Sequence, residues 1–265
     1  MEKITSLQNK RIKNIKLLSE KSAARKDQQL FVVEGLKECL MAMQGGYEFV
    51  EIYFHERHTL NELYTHFNAD KQVEIFELTE AVFSKVAYRE GTSEVIALLK
   101  MKSHTLDQLT LSKIPLLVAL ESVEKPGNLG AITRTLDAAG ADAIIVCDPR
   151  TDIYNPNVIR NSVGTVFLKQ IAVASNQSLL NWLHKHQIKS YAAALTAKHY
   201  YHESALAQAS IFIFGTESHG LSNFWLEHAD DQIKIPMLGA NDSLNVSNSV
   251  AIILYEAKRQ RNFEH

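Results

Sequence analysis

The chain has 265 residues, 46% of them apolar and 22% charged, with a formal net charge of −2. This size fits one large domain or two of ordinary size. The composition excludes a disordered or fibrous chain, and the near balance of charge excludes a polycation acting through bulk charge alone. No apolar run reaches the roughly 18 residues of a membrane span. The first residues lack the apolar core of a secretory signal. Two cysteines, Cys39 and Cys147, make neither a disulfide framework nor a zinc site. The expectation is a cytoplasmic protein with no membrane and no metal partner.

In chain order, residues 1–27 read as one or two basic amphipathic helices, with Ile4, Leu7, Ile12, Ile15 and Leu18 as the apolar stripe. Basic side chains, among them Lys10, Arg11, Lys13, Arg25 and Lys26, far outnumber the acids Glu2 and Glu20 there. Such an arm is either a solvated helix face or a surface for nucleic-acid phosphates. A strand follows at 31–33, then a helix at 36–44 stopped by Gly45-Gly46. Strands at 50–54 and 73–78 flank a helix at 59–67. Thr79 caps a helix over 80–86, and 95–99 is a further strand. Residues 101–113 are polar and irregular, which places a boundary between a smaller α/β domain at 1–105 and a second at 106–265.

The second domain opens on residues 114–120, apolar nearly throughout, as in a strand buried on both faces. A loop at 121–127, a helix at 128–139 and a strand at 143–147 follow. Further strands are expected at 166–173, 190–195, 211–215 and 232–235, with helices at 155–162, 177–186, 221–228 and 246–261. Alternating strands and helices predict a mostly parallel sheet covered on both faces, an α/β fold.

Three polar segments carry the chemistry. The first runs from Asn128 to Arg134 (NLGAITR). It follows a strand and a loop, but no G-x-G-x-x-G and no Gly-Lys-Ser/Thr is present, which argues against a dinucleotide or nucleoside triphosphate site. Asn128 is either a helix N-cap or a site residue. Arg134 lies off the apolar stripe and is either a surface side chain or a phosphate contact. The second segment runs from Phe214 to Ser222 (FGTESHGLS), a strand end followed by a glycine-bracketed loop with Glu217 at its tip. Ligands of open α/β sheets bind beyond the carboxyl ends of strands, and Gly215 permits close backbone approach. Glu217 otherwise reads as a helix-start acid, and His219 as a loop histidine. The third segment, Ile235-Pro236-Met237-Leu238-Gly239 and then Ser243-Leu244-Asn245-Val246-Ser247-Asn248, opens the last helix. There Ser247 or Ser249 can serve as an ordinary N-cap.

In order and spacing, these segments resemble the SpoU (TrmH-type) RNA ribose 2′-O-methyltransferases of the SPOUT superfamily, over about residues 115–258. The resemblance implies a deep trefoil knot in the second domain, a homodimer with pockets near its interface, and an N-terminal domain that binds RNA. It implies S-adenosylmethionine as cofactor, held largely by backbone at Leu195, Thr196, Gly215, Ile235 and Leu244. Arg134 is then the residue tied most closely to catalysis, with Asn128, Glu217, Ser243 and Asn245 at the family's other polar positions. Lys10, Arg11, Lys13, Arg25 and Lys26 become the expected RNA contacts. Ser122 and Lys125 stand where acids are frequent, Thr216 replaces a common Asn, and Asn248-Ser249 replace small apolar residues. The extra domain favours ribosomal over transfer RNA. A catalytically inactive ribosome-assembly protein is the alternative, and an enzyme acting on a base nitrogen is a weaker one.

Overall fold

A computed structural model describes residues 2–55, 57–66, 73–87 and 95–264. The first half runs β1 (Glu2–Ile4), α1 (Lys10–Glu20), α2 (Ser22–Gln28), β2 (Leu30–Glu34), α3 (Leu36–Gln44), β3 (Phe49–Phe54), α4 (Arg57–His66), β4 (Glu74–Leu78), α5 (Glu80–Val86) and β5 (Val95–Lys100). The rest runs β6 (Leu116–Glu121), α6 (Pro126–Ala139), β7 (Ala143–Cys147), α7 (Pro156–Ser162), β8 (Gln170–Ala174), α8 (Asn176–His186), β9 (Lys189–Ala193), β10 (His199–Tyr200), β11 (Ser210–Phe214), α9 (Asn223–His228), β12 (Asp231–Lys234) and α10 (Val246–Gln260). The chain divides into two compact units, Met1–Ser103 with Asp152–Leu168, and His104–Thr151 with Lys169–His265.

The first unit is a mixed five-stranded sheet in the order β1-β4-β3-β5-β2. Its opening corrects the helical reading of residues 1–27. Glu2–Ile4 pairs parallel with Phe76–Leu78, so Ile4 is buried as a strand residue and Leu7 is left exposed. The helix starts only after Asn9, whose side chain accepts the Arg11 N–H at 2.8 Å. From there Ile12, Ile15 and Leu18 supply the buried stripe. Helices at 36–44 and 80–86 stand as read. The expected last residue of the 59–67 helix, Phe67, lies outside the described residues. The strand expected at 166–173 starts only at Gln170. Gly164, at φ +85, turns the chain into a tight helical turn over Thr165–Phe167 instead. Phe167 stacks on Phe31 at 5.9 Å and meets Tyr47 edge-on at 5.1 Å, a burial that a strand register would forgo.

Arg25 is a second correction. It is 1% exposed and has no surface to offer RNA. Its Nε donates to Asp152 Oδ2 at 2.6 Å and its Nη1 to the Leu18 carbonyl at 2.6 Å. A buried guanidinium needs both an acid and carbonyls to replace water, and this one has them.

The second unit is a seven-stranded, wholly parallel sheet in the order β10-β12-β9-β11-β6-β7-β8. β6, β7 and β11 are buried along their whole length, which is why they read as apolar runs. Parallel strands all end on one edge, so the loops after β6, β9, β11 and β12 emerge together there. α6 packs on α10 through Leu129, Ile132 and Leu136 on one helix and Val250, Ile253 and Leu254 on the other, all buried.

Candidate active site

The site lies on that carboxyl edge, within the second unit. β6 and β11 are hydrogen-bonded neighbours, so residues 122–127 and 215–222 leave the sheet side by side. The second loop is pinched shut: Thr216 N–H donates to the Gly220 carbonyl and Gly220 N–H to the Thr216 carbonyl, both at 3.0 Å. Gly220 takes φ +68 to make this closure. A Cβ on Gly215 would stand 2.0 Å from the Gly220 carbonyl carbon, so glycine is required there by the loop's own backbone. Glu217 is carried to the tip and lies well before α9, which excludes its reading as a helix-start acid.

Three polar segments meet on Glu217. Asn128 Nδ2 donates to its Oε1 at 3.1 Å, and Asn245 Nδ2 donates to the same oxygen at 2.6 Å. Asn245 Nδ2 also lies 3.1 Å from Asn128 Oδ1. Lys125 forms an ion pair with Glu217 Oε2. The Lys125 ammonium, and then the two amides, hold the Glu217 carboxyl below the ordinary carboxylate range. Asn128 is not an N-cap: α6 starts at Pro126, two residues earlier, with Lys125 in the cap position. Asn245, not Ser247 or Ser249, caps α10, its Oδ1 accepting the Ser247 N–H at 2.9 Å. The Asn245 side chain thus starts the last helix with its oxygen and reaches Glu217 with its nitrogen.

Beside this cluster is a cavity of about 530 Å³, within the size range of small-molecule sites. Leu195, Thr196, Gly215, Ile235 and Leu244 all line it, and so does Ser243. Phe214, Leu221, Ile233 and Ile253 form its apolar wall. This mixture of strand-end backbone, apolar wall and two carboxylates, Glu217 and Asp242, suits a purine nucleoside carrying a cationic group, and S-adenosylmethionine is such a molecule. Arg134 is not brought to the cluster. It is exposed on α6 and lines neither this cavity nor the smaller one beside Lys125. Six residues of helix turn it about 120° away from Asn128.

The role of Lys125 was not legible as a site contact. A lysine at the start of a helix opposes the macrodipole, and that misfit was the available signal. Met237, within the third segment, also lines the cavity; Asp242, which lines it too, sits in a loop without periodicity and gave no signal. His219 is an exposed loop residue whose Nδ1 lies 2.7 Å from Ser218 Oγ. Among the described residues no group of His, Cys, Asp and Glu is placed to hold a metal, and no helix is long and apolar enough to cross a membrane.

Comparison with known proteins agrees with this geometry. Residues 115–255 match the SpoU rRNA Methylase family and residues 9–97 an MRM3-like substrate binding domain. A 23S rRNA (guanosine(2553)-2′-O)-methyltransferase of Bacillus subtilis is 28% identical over 97% of this chain and 100% of its own length. A crystal structure of an RNA 2′-O ribose methyltransferase superimposes with a TM-score of 0.84 at 37% identity, covering 98% of this chain and 99% of that one. An AdoMet-bound rRNA methyltransferase from Sinorhizobium meliloti gives 0.89 at 27% identity, covering 97% of each chain. Parallel sheet, cavity and polar cluster together define a methyltransferase of the SPOUT type. The chain belongs to the SpoU methylase family.

Proposed function

We propose that this chain transfers a methyl group from S-adenosylmethionine to a ribose 2′-hydroxyl of structured ribosomal RNA, in the cytoplasm. The observation that carries the reading is the meeting of Asn128 and Asn245, from two distant segments, on Glu217, which lines the cavity. The named activities of the relatives support the ribosomal substrate. Those relatives are enzymes, which leaves an inactive assembly protein without support.

Bound in the cavity, S-adenosylmethionine supplies a methyl group already activated as a sulfonium. The chain's own task is alignment and proton removal. Leu195, Thr196, Gly215, Ile235 and Leu244 would hold the cofactor, with Ser243 and Asn245 on the acceptor side. Glu217, fixed by Asn128 and Asn245, would offset the sulfonium charge. Arg134 clamps the phosphate next to the target ribose and polarises the 2′-hydroxyl. A guanidinium stays protonated, so the hydroxyl proton passes to phosphate or water.

The RNA-binding domain is the unit Met1–Ser103 with Asp152–Leu168, and the knotted catalytic domain is the unit His104–Thr151 with Lys169–His265. Lys10, Lys13 and Lys26 are exposed and free to contact phosphates. Arg11 is a weaker RNA contact, because Glu51 and Glu74 already pair with it. The working form is a homodimer, in which Arg134 of a second copy completes the cluster that it cannot reach in its own chain.

The test is ribose-methylation mapping of ribosomal RNA incubated with the protein and S-adenosylmethionine. One new 2′-O-methyl site, absent with Arg134→Ala, is the expected result. Cofactor binding without any RNA methylation would overturn the acceptor assignment.

A further inference from the structure

β6 ends in Glu121, a carboxylate 5% exposed. Its Oε2 accepts the Ser222 backbone N–H at 2.8 Å. Its Oε1 accepts the Ser222 hydroxyl at 2.6 Å and the Asn176 amide at 2.5 Å. Asn176 Oδ1 in turn accepts the indole N–H of the fully buried Trp225 at 2.8 Å. Among the described residues no salt bridge reaches Glu121, and these hydrogen bonds alone replace its water. A buried carboxylate without a cation is costly unless its donors are held in place. The same requirement fixes the donors.

What they fix is the far end of the site loop. Gly215 continues from β11, and Thr216 and Gly220 close the loop on itself. Ser222 is its last residue before α9, and Glu121 ties it to the end of β6, next to the loop that carries Lys125 and leads into α6 with Asn128. Both ends are anchored, and the tip between them carries Glu217 to Asn128 and Asn245.

We infer that Glu121 is a positioning residue that holds the 215–222 loop in its cofactor-receiving form through Ser222. The inference rests on the reading of that loop as part of the methyltransferase site. Neither neutral nor shorter substitutes serve. Glutamine puts an amide N–H against a donor, either Ser222 or Asn176, and aspartate is one methylene too short to reach both.

The test measures S-adenosylmethionine binding by calorimetry on the full chain, beside thermal unfolding, for wild type, Glu121→Gln, Ser222→Ala and the double variant. Because small displacements at a site cost much affinity, Glu121→Gln is expected to weaken binding by roughly tenfold while the folded fraction at the assay temperature is retained. Ser222→Ala, at an exposed position that keeps its backbone N–H, should weaken it less. The double variant should be no worse than Glu121→Gln alone, since both act through one contact. Wild-type affinity in both single variants overturns the inference, as does weakening that only follows the loss of folded protein. If Glu121→Gln does not fold, Ser222→Ala decides by the same comparison. A wild-type chain that binds no S-adenosylmethionine overturns the methyltransferase reading itself, a distinct result from equal binding by all four proteins.

Discussion

Single residues here are set by the charges around them. Glu217 is an acid whose pKa is lowered first by its hydrogen bond to Lys125, then by the amides of Asn128 and Asn245. Its folded-state value lies below the ordinary 4.5, so its contribution to stability is complete above that value and is lost as pH falls through the lowered one. Removing the ammonium with Lys125→Ala should raise the Glu217 pKa. The acidic limb of the cofactor-affinity profile should then move to higher pH, and an unmoved limb would show that Lys125 does not set this charge. Arg25 is the opposite situation, a buried cation whose loss strands Asp152 together with the Leu18 carbonyl. Arg25→Ala should cost about 3–5 kcal/mol of stability, in the range for breaking a buried pair. Arg25→Met with Asp152→Leu should recover much of it. Thermal and denaturant unfolding read both. A loss from Arg25→Ala within the range of a surface substitution would show that the pair with Asp152 contributes little to the fold.

Among elements, buried strands and the helices at 36–44 and 80–86 were legible, whereas the capping residues and the elements decided by distant partners were not. The apolar runs at 114–120 and 143–147 could only be strands of a covered parallel sheet, and they are. Ile4 and Leu7 fit a helical stripe equally well, and only pairing with β4, where Ile4 meets Leu78, settles Ile4 as a strand residue. The edge strand His199–Tyr200 is two residues long and carries no period to read. In the site, the Asn128, Glu217 and Asn245 positions were legible through family resemblance, whereas Lys125 in the cluster and Arg25 in a core depend on side-chain packing that a single sequence does not encode. Asn245 joins the two levels, because one side chain caps α10 and binds Glu217. Asn245→Ala should lose about 1 kcal/mol of stability with the cap and also lose activity. Asn245→Ser keeps a capping oxygen but is too short to reach Glu217, so its stability should stay near wild type while methyl transfer falls. Equal activity for Asn245→Ser and wild type would reduce Asn245 to a cap.

At the scale of the whole molecule, Arg134 poses the remaining problem. The polar cluster is assembled by one chain, yet Arg134 points elsewhere on α6, exposed and with no hydrogen bond or ion pair among the described residues. An arginine presented in this way can serve the site of a second copy, because a two-fold pair exchanges the same residues in both directions. The proposed dimer then has sites built from two chains, and complementation follows. Arg134→Ala alone and Asn245→Ala alone should each be inactive. In a pair made of one copy of each, the first copy keeps its cluster and receives Arg134 from the second, which restores one site; the other site lacks both groups. Half of randomly mixed dimers are such pairs, so mixing the two inactive proteins under exchange should recover about a quarter of wild-type methyl transfer. No recovery, with exchange verified by differently tagged copies, would mean that Arg134 acts within its own chain or does not act at all. Sedimentation of the wild type separates these outcomes from a failure to dimerise.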